Sequence, residues 1–210
     1  MSPTGRTVRP PDPVVVGVQA AATAAPDWQE LAVAARTCTA CPELASTRTS
    51  VVVGVAPPGA RLLLVGEAPG RQEDESGEPF VGRSGQLLDR LLAEGGGARA
   101  TTAVINTLKC RPPGNRPPRP VETAHCRPWT ERQLELIDPA LVVVLGLSAT
   151  RWFLGPTPLA AVRGRVHQVA GRSVLPTYHP SAALRNGPAG EPMRLLRADL
   201  AMAVRLTTVA

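Results

Sequence analysis

Residues 62–70 read LLLVGEAPG, four apolar residues that run straight into Gly66, Glu67, Ala68, Pro69 and Gly70. A short, wholly apolar run ending at small and turn-forming residues is the pattern of a strand covered on both faces and opening into a loop. TAVINT at 102–107 and ALVVVLG at 140–146 have the same form. Between the first two runs, SGQLLDRLLAEGGG from Ser84 sets Leu87, Leu88, Leu91 and Leu92 on one helical stripe, and glycines stop it. Alternation of strand and helix predicts an α/β fold: a three-layer α/β/α sandwich around a short, mainly parallel central sheet.

Further elements fit that frame. DWQELAVAARTC, from Asp27, offers a capping box of Asp27 with Glu30 before a short helix. PVETAHCRPWTERQLELI (120–137) reads as a helix kinked or restarted at Pro128, and SATRWFLG (148–155) as a shorter one. GRVHQVAGRSVLPTYHP (164–180) predicts a hairpin turning at Ala170–Gly171, and 191–208 predicts a closing amphipathic helix. The Pro- and Ala-rich residues 1–26 read as a disordered tail, leaving one domain over 27–210. In open parallel sheets ligands sit beyond the carboxyl ends of strands. The loops GEAPG, NTLKCRPPGNR and YHPSAALRN all follow predicted strands, so they should converge on one edge.

The chain has 210 residues, enough for one domain with a sizeable core. Its 23 basic and 17 acidic residues leave a net charge of +6, which favours a polyanionic partner without identifying one. Lys109 is the only lysine, so nearly all the positive charge is arginine, whose forked guanidinium suits phosphate and carboxylate. No run approaches the roughly 18 apolar residues of a membrane span. Arg6 and Arg9 before VVVGVQAAATAA imitate a secretion signal, but Pro10, Pro11 and Pro13 interrupt it. The expectation is a soluble, cytoplasmic monomer.

Cys38 and Cys41 are spaced CxxC, and Cys110 and Cys126 lie far along the chain. All four meet only through tertiary folding. Buried thiols, disulfides and a redox pair are the plainer alternatives. Without a secretory signal disulfides are disfavoured, and a four-thiolate site uses every cysteine. Zinc and an iron–sulfur cluster both accept four thiolates, so spacing leaves the metal open. Cys110 sits in KCRPPGNRPPRP, where Arg111, Arg116 and Arg119 alternate with stiffening prolines. Such a loop suits a grip on backbone phosphates, and equally reads as a solvated proline-rich segment.

Taken together these motifs resemble the family 4 uracil-DNA glycosylases, the iron–sulfur branch of that superfamily, from Cys38 to about Leu206. The resemblance is carried by CxxC at 38–41, VGEAPG at 65–70, GEPFVGRSGQLLDRLL at 77–92, INTLKCRPPGNR at 105–116, Cys126 with RQLELIDP behind it, and LPTYHPSAALRN at 175–186. It implies a structural [4Fe–4S] cluster on Cys38, Cys41, Cys110 and Cys126. It also implies hydrolysis of the N-glycosidic bond of deoxyuridine in single- and double-stranded DNA, the first step of base excision repair.

That reaction expels uracil as an anion, so donors aimed at the departing base are central. By resemblance His179 donates to uracil O2, Asn106 reads the polar edge of the base, and Phe80 stacks on it after flipping. Gly66, Ala68 and Gly70 are read as small so that backbone N–H groups approach the base, although a tight turn alone would also use them. Glu73 is expected to wall off the thymine methyl, and Glu67 to orient the loop or position water. Ala68 stands where family 1 enzymes carry a water-activating aspartate, leaving the water's partner unassigned. Arg111, Arg116, Ser181, Leu184 and Arg185 are the expected DNA contacts, with Leu184 and Arg185 entering the gap left by the flipped nucleotide. His125 and His167 are read as structural. A related branch traps the sugar covalently through a longer basic insert with a histidine, which this chain lacks, so turnover is expected. The alternatives are a glycosylase of broader deaminated-base specificity and an iron–sulfur DNA-binding module without catalysis.

Overall fold

The computed structural model describes residues 12–208. Five strands form one sheet in the order β2-β1-β3-β5-β4: β1 Leu62–Gly66, β2 Thr102–Asn106, β3 Leu141–Leu145, β4 His167–Val169 and β5 Arg172–Thr177. β1, β2, β3 and β5 are parallel, and β4 pairs antiparallel at the edge. Ten α-helices are described: α1 Pro13–Ala24, α2 Trp28–Arg36, α3 Pro42–Thr47, α4 Arg71–Ser76, α5 Arg83–Glu94, α6 Pro120–Ile137, α7 Gly146–Leu154, α8 Leu159–Val162, α9 Pro180–Asn186 and α10 Glu191–Thr208.

The sandwich follows from alternation along fully buried strands. Leu62, Leu64, Val104, Val143 and Leu175 turn to one face and pack on the leucines of α5 and α10. Leu63, Val65, Ile105, Val142 and Val144 turn to the other, against Leu134 of α6 and Ala149 of α7. Each such side chain taken from water stabilises the fold by about 1.5–3 kcal/mol, which explains why the strands are apolar on both faces. α6 runs unbroken through Pro128, and the hairpin between β4 and β5 turns at Ala170 and Gly171, both with positive φ. No helix among the described residues is long and apolar enough to cross a membrane.

The expected tail over 1–26 needs correction. Residues 1–11 lie outside the described residues, but Pro13–Ala24 form α1. Asp12 caps it by accepting from the Val14 amide at 2.9 Å, and Pro13 occupies the first turn, where its missing N–H costs nothing. Val18 and Ala22, one turn apart, are buried in the core that also holds the cysteines. A carboxylate oxygen of Asp12 lies 3.1 Å from His125 Nε2 on α6. Alanine is the best helix former, and small side chains permit close helix packing, so a composition typical of a tail here makes a docked helix.

Candidate active site and cysteine nest

The three loops expected at one sheet edge do converge there. Glu67, Ala68 and Gly70 after β1, Asn106 at the end of β2 and His179 after β5 line one cavity of about 710 Å³ with Phe80. A fourth segment, which sequence reasoning missed, completes the wall: Leu145 at the end of β3 and Gly146, Leu147 and Ser148 at the start of α7. The strand-end rule could have found it, because VVVLG also ends at a glycine. The crevice opens where strand order reverses about β1.

Asn106 is the last residue of β2 and register partner of Gly66. Only 2% of it is exposed, yet its Oδ1 is buried without a hydrogen-bond partner. Leaving such an acceptor unpaired costs about 1–3 kcal/mol, so the position is built for a ligand that donates to it. Gly66 makes room for it: a Cβ there would lie 2.3 Å from Asn106 Oδ1 and 2.6 Å from Phe80 Cζ. Glycine here serves the neighbouring side chains, a different reason from the backbone approach expected from sequence.

Phe80 is buried, with φ of 55°, a left-handed conformation that costs a non-glycine residue free energy. Its backbone lies so close to α5 that a Cβ at Gly85 would sit 1.6 Å from the Phe80 carbonyl oxygen. Gly85 therefore seats Phe80, a dependence absent from the local sequence pattern. The Phe80 and His179 rings are tilted by 35° with centroids 5.9 Å apart.

His179 caps the N-terminus of α9. Its Nδ1 accepts from the Ser181 amide at 3.1 Å and lies 2.8 Å from Ser181 Oγ. A backbone N–H only donates, so Nδ1 carries the lone pair and the neutral ring keeps its proton on Nε2. Burial, reinforced by Arg185, pushes the His179 pKa down to about 4. A neutral imidazole with Nε2–H is thus the species at neutral pH. Gly146, with φ of 87°, packs beneath it: a Cβ there would meet His179 Cβ at 2.9 Å.

Several expected roles take another form. The Glu73 carboxylate accepts from the amides of Gly70 at 3.1 Å, Val81 at 3.0 Å and Gly82 at 2.8 Å. Expected as a wall against the thymine methyl, it braces the cavity rim through these amides, and it occupies the Gly70 amide expected to face the base. Arg116 donates through Nη1 to Glu122 Oε2 at 2.9 Å and through Nη2 to Glu122 Oε1 at 2.5 Å, and Glu43 lies 3.3 Å away. That guanidinium holds the Pro-rich loop to α3 and α6, and lowers the Glu122 pKa. Arg111 donates to Asn115 Oδ1 at 2.7 Å. Leu184 is half-buried against the core under α10, whereas Leu147 is exposed at the cavity wall. Arg185 is exposed and Ser181 lines the cavity. Ala68 lines it too and offers no carboxylate, while Glu67 is bound through its backbone oxygen to Leu108 N–H at 2.9 Å.

Cys38 follows α2, Cys41 stands at the N-cap position of α3, Cys110 follows β2 and Cys126 lies on α6, and all four line one small void. None of the four is joined in a disulfide. Among the described residues no three His, Cys, Asp or Glu side chains stand close enough to share a single metal ion. Burial pushes the Cys41 and Cys126 thiols up to about 12, and raises Cys110 as well. Thiolates here need a cationic partner. Arg48 Nη1 donates to Cys110 Sγ at 3.3 Å, the Lys109 amide to Cys126 Sγ at 3.3 Å, and the Trp129 indole Nε1 is buried without a partner beside the void. Four soft donors spread round a void, with N–H groups aimed at sulfur, fit a multi-atom iron–sulfur group better than one ion.

Comparison with known proteins agrees with this geometry. Residues 53–201 match the sequence profile of the "Uracil DNA glycosylase superfamily". A type-4 uracil-DNA glycosylase of Thermotoga maritima is 45% identical over 71% of this chain and 79% of its own length. One from Archaeoglobus fulgidus is 43% identical over 70% of this chain and 78% of its own, and one from Sulfurisphaera tokodaii 39% over 66% and 68%. With the matched stretch spanning β1 through most of α10, and so the whole cavity, the chain belongs to the uracil-DNA glycosylase superfamily.

Proposed function

We propose that this chain is a monofunctional glycosylase that hydrolyses the N-glycosidic bond of deoxyuridine in DNA and leaves an abasic site for base excision repair. The observation that carries this reading is the buried, unpartnered Oδ1 of Asn106. Uracil N3–H donates to it and uracil O4 accepts from the same carboxamide. Cytosine presents the opposite pattern and would leave both groups unpaired, a penalty that discriminates strongly.

Phe80 stacks on the flipped base, and the narrow space between Gly66, Phe80 and the loop braced by Glu73 excludes the thymine methyl. His179 supplies Nε2–H to uracil O2 as negative charge develops there, held in that tautomer by Ser181. With alanine at 68, leaving-group stabilisation dominates and activation of water by a carboxylate at that position is absent.

Cys38, Cys41, Cys110 and Cys126 would hold a [4Fe–4S] cluster, which when bound clamps α2, α3, α6 and the loop after β2 together. Arg111, Arg185 and Ser181 reach the DNA backbone. Arg116 reaches it only at the expense of its bond to Glu122. We read the protein as a monomer, and a DNA substrate fits the cytoplasm of a bacterial cell, where the DNA lies.

The test is excision from a uracil-containing oligonucleotide by purified protein beside His179→Ala and Asn106→Ala. Abasic product in the parent, falling about 10²–10³-fold in the histidine variant, supports the assignment. DNA binding with uracil left in place would point instead to a non-catalytic module.

A further inference from the structure

We propose that Lys109 is a positioning residue that ties the four-cysteine nest to Asn106, so that one buried side chain joins the seat of the cluster to the reading of the base. The proposal rests on Asn106 being the uracil reader.

Asn106 ends β2, and Cys110 follows four residues later. Several bonds hold the connecting segment to its surroundings, one of them from Thr107 Oγ1 to Glu67 O at 2.9 Å. Thr107 N–H donates to Gly66 O at 3.0 Å, Leu108 N–H to Glu67 O at 2.9 Å, and Thr130 Oγ1 of α6 to Thr107 O at 3.3 Å. The Asn106 carbonyl is met by Lys109 Nζ at 2.5 Å. The rest of Lys109 belongs to the cysteines: its amide donates to Cys126 Sγ, its carbonyl accepts from Val52 N–H at 2.8 Å, and its side chain lines their void. One residue thus bonds a cluster ligand with its backbone and the base reader with its side chain.

The choice of residue type is informative. Lys109 is 1% exposed, and burying an ammonium costs several kcal/mol that an apolar side chain would avoid. Every other permanently cationic side chain in the sequence is arginine. A guanidinium is a wide planar fork; a flexible stem ending in a compact point charge meets one carbonyl and still lies within the field of the Cys110 and Cys126 sulfurs. With Asn106 Oδ1 buried and waiting for a donor, a shift of its backbone by a few tenths of an ångström would move the acceptor off the base.

Lys109→Gln and Lys109→Arg, purified as the iron-loaded protein, test this against Asn106→Ala and the parent. Visible absorption and iron per chain report the cluster, free uracil as an inhibitor reports the reader, and affinity for an abasic oligonucleotide reports the DNA surface. In Lys109→Gln, iron content and abasic-DNA affinity should match the parent, while inhibition by uracil weakens and excision slows by about 10–100-fold, the usual range for residues that orient others. Parental uracil inhibition and rate in Lys109→Gln would overturn the proposal. So would loss of iron from both lysine variants, since the lysine would then serve the cysteines alone. If Asn106→Ala weakens uracil inhibition and Lys109→Gln does not, only the lysine assignment falls; if Asn106→Ala also leaves it unchanged, the reading of Asn106 falls first.

Discussion

Gly66 and Asn106 face each other at the ends of two paired strands, so close that a methyl group on the first would sit 2.3 Å from the side-chain oxygen of the second. Gly66→Ala should therefore push the Asn106 carboxamide and the Phe80 ring out of place while the strands stay paired. Misplacement on this scale lowers kcat/KM for uracil excision by about 10²-fold. A thermal melt beside the kinetics separates the two effects: an unchanged rate would show that the Asn106 oxygen tolerates displacement.

The neutral state of His179 has a pH signature. Its pKa falls from the ordinary 6.5 to about 4 through burial first and the charge of Arg185 second. Excision should stay level as pH drops through 6.5 and decline only near 4, when protonation of Nδ1 breaks its bond to the Ser181 amide. Stability follows the same group. Above about 6.5 neither folded nor unfolded His179 is charged; below it the unfolded chain takes a proton that the folded one refuses, so stability declines until pH passes about 4. Melting temperatures of the parent and His179→Gln across pH 4–7 should diverge in that direction, the parent losing more on acidification.

Arg111 and Arg116 should separate in their response to salt. Arg111→Met ought to weaken DNA binding evenly across sequences and reduce the slope of log affinity against log salt by about 1, the mark of one lost phosphate contact. Arg116→Met removes the ion-pair partner of Glu122, whose side chain is 5% exposed, and should lower the melting temperature with little change in the salt slope. Reversal of these two outcomes would return Arg116 to the DNA surface.

α1 should behave as part of the domain. Val18 is buried in the core that also holds Cys110 and Cys126, so Val18→Asp places an unpaired charge there and should cost roughly 3 kcal/mol or more. The iron-loaded variant should also bleach faster under a chelator than the parent. Equal melting and bleaching would make the helix dispensable.

Substrate ranking tests how the base reaches the cavity. Flipping costs a few kcal/mol, least for mismatched or single-stranded bases. Uracil opposite guanine and uracil in single strands should therefore be cut at least as fast as uracil opposite adenine in single-turnover assays, and much faster cleavage opposite adenine would imply active extrusion by the protein.

Much of this was legible in the chain itself. Apolar runs at 62–66, 102–106 and 141–145 determine strands covered on both faces, and a strand of that kind can only lie inside a layered sandwich. Small and turn-forming residues at their ends determine where loops gather, and a CxxC pair with two further cysteines far along the chain announces a tertiary site. Tertiary structure alone decided the rest, because it depends on contacts between residues far apart in sequence or set by backbone geometry. Glu73 becomes a brace only when Val81 and Gly82 fold back on it, Gly85 matters only because Phe80 lies across α5, and Arg116 is claimed by Glu43 and Glu122. An alanine-rich stretch with the composition of a tail became a helix because α6 and the nest presented a surface for Val18 and Ala22 to cover. Local pattern sets periodicity and turns; the partner of each buried polar group is chosen by the packing of the whole chain.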